Sequence, residues 1–127
     1  RSALPTPEAG GVVRGPAEAA SIASRLWAQT EPGPTALVLD AGGRLARLRP
    51  FAEPRGALTA ALAAGGAALA VVAPEGWAAG DALSAGCALV GCPLVDVVWS
   101  GGAGLVSAAR SGALEVAGWD LFGLHEL

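Results

Sequence analysis

A chain of 127 residues that is 53% apolar and only 15% charged folds as one domain with a sizeable core, which excludes the disordered class. Its net charge of −3 excludes a general nucleic-acid binder, because such a domain needs a concentrated Lys/Arg field to displace phosphate counterions. Methionine is absent and the chain begins at Arg1, which points to a processed or trimmed fragment. No apolar stretch follows Arg1 as a signal peptide would require.

Residues 1–15 carry Pro5, Pro7, Gly10, Gly11 and Gly15 with little periodicity, and read as an irregular leader. Pro16 suits the first turn of a helix, and "PAEAASIASRLWAQT" follows with Ala19, Ile22, Ala23, Leu26 and Trp27 at helical spacing. Pro32-Gly33-Pro34 breaks that helix. "TALVLD" is a short apolar strand, Ala41-Gly42-Gly43 a hairpin turn, and "RLARLR" its half-exposed antiparallel partner. A second helix runs from Pro54 to the Gly65-Gly66 stop. "AALAVVA" is a buried strand, and "GDALSAGCALVG" a short helix with Asp81 opposing the dipole near its start. "PLVDVVWS" and "LVSAA" are two further strands around "GGAG", while the tail "LEVAGWDLFGLHEL" has mixed spacing. The order α-β-β-α-β-α-β-β predicts an α/β fold in three layers, with helices on both faces of a mixed sheet. No internal repeat interrupts it.

The charge-free run Gly56–Pro74 approaches membrane-spanning length, but it is mostly alanine and is broken by Gly65-Gly66. It reads as helix, turn and strand, and no membrane partner is expected. Cys87 and Cys92 lie five apart at a helix end, a poor arrangement for a disulfide, and read as buried reduced thiols of a cytoplasmic protein.

Few residues offer chemistry. A hydrolytic zinc site needs about three protein ligands, usually including histidines, and the only histidine is His125. Cys87, Cys92, His125 and a carboxylate match no known cluster. Ser84, Ser100, Ser107 and Ser111 have no general base but His125. "WSGGAGLVSAARSG" sets Gly102, Gly104 and Ser107 in a G-x-G-x-x-S pattern that loosely imitates a dinucleotide fingerprint, against the plainer reading of a glycine hairpin turn. Arg44, Arg47, Arg49 and Arg55 cluster, either for an anionic partner or, as period two suggests, as a solvated sheet edge.

With the elements placed, residues from about Val12 to about Ser111 resemble the RadC-type branch of the JAB/MPN family. "GPAEAASIASRLWAQ" is similar to the family's first helix, and "TALVLDAGGRLARL" to its signature strand pair. "ALTAALAAGGAALAVVA" is similar to the helix and strand leading to "HNHPSG". "VGCPLVDVVWSGGAGLVSAA" resembles "lGipLlDHiIvg.ggyvSl", with Gly91, Pro93, Leu94, Asp96, Gly101, Gly102 and Ser107 in matching places. The resemblance implies a JAB/MPN (cytidine-deaminase-like) architecture over residues 16–111, with 112–127 as a tail packing on the domain or on a partner. It also brings the family's historical link to DNA repair, which the acidic charge of this chain does not independently support.

Active members of that family are zinc isopeptidases with a His-x-His pair, a Ser-x-x-Asp and an upstream Glu base. Under the resemblance those positions fall on Pro74, Gly76 and Pro32, with Glu31 one residue out of place. The loop from Gly76 to Asp81 is too short for the Ser-x-x-Asp, and the Asp-His of the later strand becomes Asp96-Val97. The implied function is a scaffold or interaction module without peptidase activity, metal or cofactor. Its partner would be another protein, or a second copy through the tail or an edge strand. Trp77, Trp119 and Phe122 are the candidate contact residues. Two enzyme alternatives remain open: a small-molecule or nucleotide site at loop 101–104, and a hydrolase with a relocated metal site. A residual polar site would draw on Glu31, Glu75, Asp81 and Asp96.

Overall fold

Two uninterrupted apolar segments form the middle of the sheet, because strands buried on both faces have no use for polar alternation. In the computed structural model, which describes residues 11–102 and 104–122, these are β1 (Thr35–Leu39) and β3 (Ala68–Pro74). Every residue of β1 is buried, and every residue of β3 except Pro74. The remaining strands are β2 (Leu45–Pro50), β4 (Leu94–Gly101) and β5 (Gly104–Ser107), and the sheet order is β2-β1-β3-β4-β5. Neighbours are antiparallel except β3 and β4, which run parallel. That pair needs a crossover, and α3 (Gly80–Val90) supplies it. The protein is therefore α/β, a mixed five-stranded sheet flanked by helices on both faces.

Alternation sorts the strand residues between two cores. Leu37 and Leu39 of β1 with Ala70 and Val72 of β3 meet α1 (Pro16–Trp27) through Ala19, Ala20 and Ala23. Ala36, Val38, Leu69 and Val71 meet α2 (Pro54–Ala63) and α3 through Ala57, Ala60, Ala61 and Leu83. Alanine at these contacts lets the helices approach the sheet closely. Both α1 and α2 begin with proline in the first turn, as the sequence predicts, and Glu18 accepts a bond from the Arg14 N–H at 2.6 Å.

The first hairpin is held by a side chain. Asp40 Oδ1 accepts from the N–H groups of Gly42 (2.9 Å) and Arg44 (3.0 Å), so the residue that follows β1 organises the turn. β2 lies at the sheet edge with Arg47 and Arg49 exposed, in keeping with the solvated-edge reading. Among described residues, no helix is long and apolar enough to cross a membrane.

Three segments depart from expectation. Residues 11–13 of the leader are not irregular. Val12 bridges Arg44, the Val13 N–H donates to the Gly43 carbonyl, and Val13 is buried, because two successive valines can both dock and pair. "LVSAA" is not one strand. β5 stops at Ser107, whose Oγ accepts from the Arg110 N–H and caps the single turn α4 (Ala108–Ser111). The tail lies along β4, with the Ala117 and Gly118 N–H groups donating to the carbonyls of Leu94 and Val95, before a 3-10 turn at Trp119–Phe122.

The join between α2 and β3 tests this packing. A Cβ on Gly66 would overlap the Val38 Cγ1 methyl in the core. Gly66→Ala is expected to cost about 1–3 kcal/mol, read as a lower urea midpoint at unchanged slope.

Candidate functional site

The topology brings several loops to one end of the sheet. The carboxyl ends of β2, β3 and β4 lie beside the amino end of β1. Glu31 and Pro32 (before β1), Phe51 (after β2), Pro74 to Trp77 (after β3) and Ser100-Gly101 (closing β4) therefore share this end.

The chain after β3 turns immediately, with the Trp77 N–H donating to the Pro74 carbonyl at 3.2 Å. The turn carries the half-buried Trp77 onto the α2/α3 core. Its ring meets Phe51 edge to face, with centroids 6.0 Å apart and planes at 83°. The Trp99 Nε1–H donates to the Trp77 carbonyl at 2.8 Å, which ties the turn to β4. The Phe51 N–H donates to the Pro34 carbonyl at 3.0 Å, so the segment before β1 is held as well. The strand end is thus closed by three aromatic rings joined to backbone.

Glu75 is exposed and lies over Gly101. A Cβ at Gly101 would sit 2.8 Å from both Glu75 Cβ and Oε1, so glycine there leaves room for the carboxylate side chain. Glu31 is exposed at the same end, and Asp81 is exposed in the first turn of α3. Asp96 is elsewhere, on the α1 face of β4, and fully buried. It accepts three hydrogen bonds: from Ser107 Oγ (2.5 Å), the Ala109 N–H (2.9 Å) and Trp119 Nε1 (2.8 Å). The four carboxylates named from sequence do not converge. Among the described residues no three His, Cys, Asp or Glu side chains group so as to hold a metal ion.

The remaining candidates have local roles. The glycine stretch is a hairpin in which Gly101 pairs with Gly104, and it leads into a strand rather than a helix. A phosphate cradle needs a helix N-terminus at that point, and the Ser107 hydroxyl is already bonded to a carboxylate. Ser84 Oγ donates to the Glu115 carbonyl and Ser111 Oγ accepts from the Ala113 N–H. Ser100 pairs with Leu105 across the hairpin. His125, Ala103 and the Phe122 side chain lie outside the described residues. Phe51 is the participant that sequence reading missed. Its signal was available: an aromatic residue where the polar-apolar alternation of β2 stops.

Both thiols are buried and free. The Cys92 N–H donates to the Cys87 carbonyl at 3.1 Å, wrapping the end of α3. Cys87 lines an open groove of about 500 Å³ together with Ser84, Gly91, Glu115 and Val116. Burial, and then the neighbouring Cys92 thiol, push the Cys87 thiol up to about 12, and burial also raises Cys92.

Two measurements follow from these placements. Asp96→Ala strands three donors in the core and is expected to cost about 3 kcal/mol or more, with a change in Trp119 emission at a lower denaturation midpoint. For the thiols, the folded state binds the proton more tightly than the unfolded chain. Their contribution to stability is thus complete below the ordinary thiol value of 9.0 and is lost as pH rises toward about 12. Thermal midpoints should fall over that alkaline window, and Cys87→Ala should flatten the fall.

No family model matches the chain, and no curated protein matches it.

Proposed function

We propose that this chain is a non-catalytic domain of the RadC/JAB type, acting as a scaffold or protein-interaction module. The order α-β-β-α-β-α-β-β and the mixed sheet with helices on both faces are compatible with that architecture. The reading otherwise rests on the sequence resemblance. One observation carries its functional half: the β3 strand end, where the resemblance would set zinc ligands, is built as an aromatic closure of Phe51, Trp77 and Trp99.

The residues there do not fit a zinc ion. Pro74 and Gly76 have no donor side chain, and Glu75 is a single carboxylate against a requirement of about three ligands. No hydrolytic step is therefore derived through a metal. The same end offers what contact surfaces use, namely half-buried aromatic rings beside an exposed carboxylate.

Metal analysis of protein purified without chelator tests the reading, together with thermal shift in NAD or ATP. The expected result is substoichiometric zinc and an unchanged midpoint with either nucleotide. Stoichiometric zinc that disappears in Glu75→Gln would overturn the non-catalytic reading, and so would a clear nucleotide-dependent rise in midpoint.

A further inference from the structure

The two edges of the sheet are finished in opposite ways. β2 ends one side with exposed Arg47 and Arg49 and with Pro50, which has no N–H to offer. Charge and proline are the ordinary means of keeping an edge from pairing with another strand. β5 ends the other side with none of them. From Trp99 to Ala109 the chain carries no ionisable side chain and no proline. Leu105 is 46% exposed and Val106 50%, and successive residues of a strand face opposite sides of the sheet. Every second residue of an edge strand also turns its N–H and C=O outward.

From these features we infer that β5 pairs with β5 of a second copy, antiparallel about a two-fold axis, so that one sheet runs through both copies. The outward backbone groups require an extended strand as the occupant, since only a strand answers that row of donors and acceptors. The second copy is the occupant that the side chains favour. A two-fold at Val106 sets the two Val106 side chains against each other on one face and places Leu105 of each copy opposite Ser107 of the other on the second face, covering exposed apolar groups on both faces. The pairing brings no like charges together, because the whole hairpin is neutral. Beside β5, Pro16, Ala17 and Arg110 line a groove of about 350 Å³ that receives the incoming side chain. Such a contact is isologous and closes at two copies, leaving only the two protected β2 edges. It adjoins the aromatic strand end, since Val106 lies across from Trp99, but it uses none of the carboxylates there and stands whether or not that end is catalytic.

Light scattering and sedimentation equilibrium of the full chain test the proposal. The expected mass is twice that of the chain. Leu105→Lys and Val106→Lys, each at an exposed position, should give monomers with unchanged far-UV circular dichroism. Leu89→Lys, at an 88% exposed position on α3, should remain dimeric. A wild-type chain that stays monomeric overturns the proposal, including the case in which a foreign strand uses the edge. A dimer that survives both lysines, or is lost in Leu89→Lys, overturns it too. Should the lysine variants unfold, hydrogen exchange of the wild type decides. Amides of residues 105–107 should slow about tenfold or more as dimer accumulates, and concentration-independent exchange there overturns the pairing.

Discussion

The joining of β4, β5, α4 and the tail depends on one buried carboxylate. Asp96 sits in a strand whose neighbours are Val95 and Val97, where an unsatisfied acceptor would cost several kcal/mol. Its three donors come from three different parts of the chain: β5 through Ser107, α4 through Ala109, and the tail through Trp119. Without this acceptor the strand-to-helix change at Ser107 would lose its anchor. The tail would lose the Trp119 bond that ties its side chains to β4. A polar group placed in an apolar strand thus determines where β5 ends and where the chain returns.

The opposite end of the sheet shows another solution to closing a strand. Pro74 ends β3, the following turn folds back, and an indole covers the core where the chain leaves the sheet. Gly101 matters here through what it lacks, since any side chain would displace Glu75. The result is a half-buried aromatic layer with the exposed Glu75 carboxylate over it.

Much of this was legible in the sequence, and the reasons are specific. "TALVLD" and "AALAVVA" are too short and too continuously apolar for anything but central strands, and Pro16 and Pro54 mark helix starts wherever they stand. The end of β5 was not legible, because "LVSAA" has no glycine or proline to stop a strand. The stop comes from Asp96, eleven residues earlier, bonding Ser107. Phe51 was missed for a similar reason. Its partner Trp77 is distant in sequence and comes near only once β2 and β3 flank β1. The four candidate carboxylates looked like one polar site because nothing in spacing says which face of a strand an acid occupies when a bulge intervenes. β4 shifts register between Leu94 and Asp96, opposite Leu69 and Ala70, which sets which face Asp96 takes, and its place near the start of β4 keeps it away from the strand end.

A chain so rich in alanine and glycine packs its helices close to the sheet but leaves little side-chain volume to fill the margins. The indoles supply it. Trp27 donates to Thr35 Oγ1 at 3.0 Å where α1 meets the start of β1. Trp99 bonds the turn after β3, and Trp119 bonds Asp96 beneath the tail. Each ring covers a boundary that small residues cannot reach, and each N–H is satisfied on arrival, as burial of an indole demands. At the β5 edge the ring of Trp99 lies across from Val106 on the inner side only. Leu105 and Val106 stay about half exposed, while the β2 margin carries charge. In a fold that otherwise closes its boundaries with large side chains, an uncharged edge has the character of a contact surface.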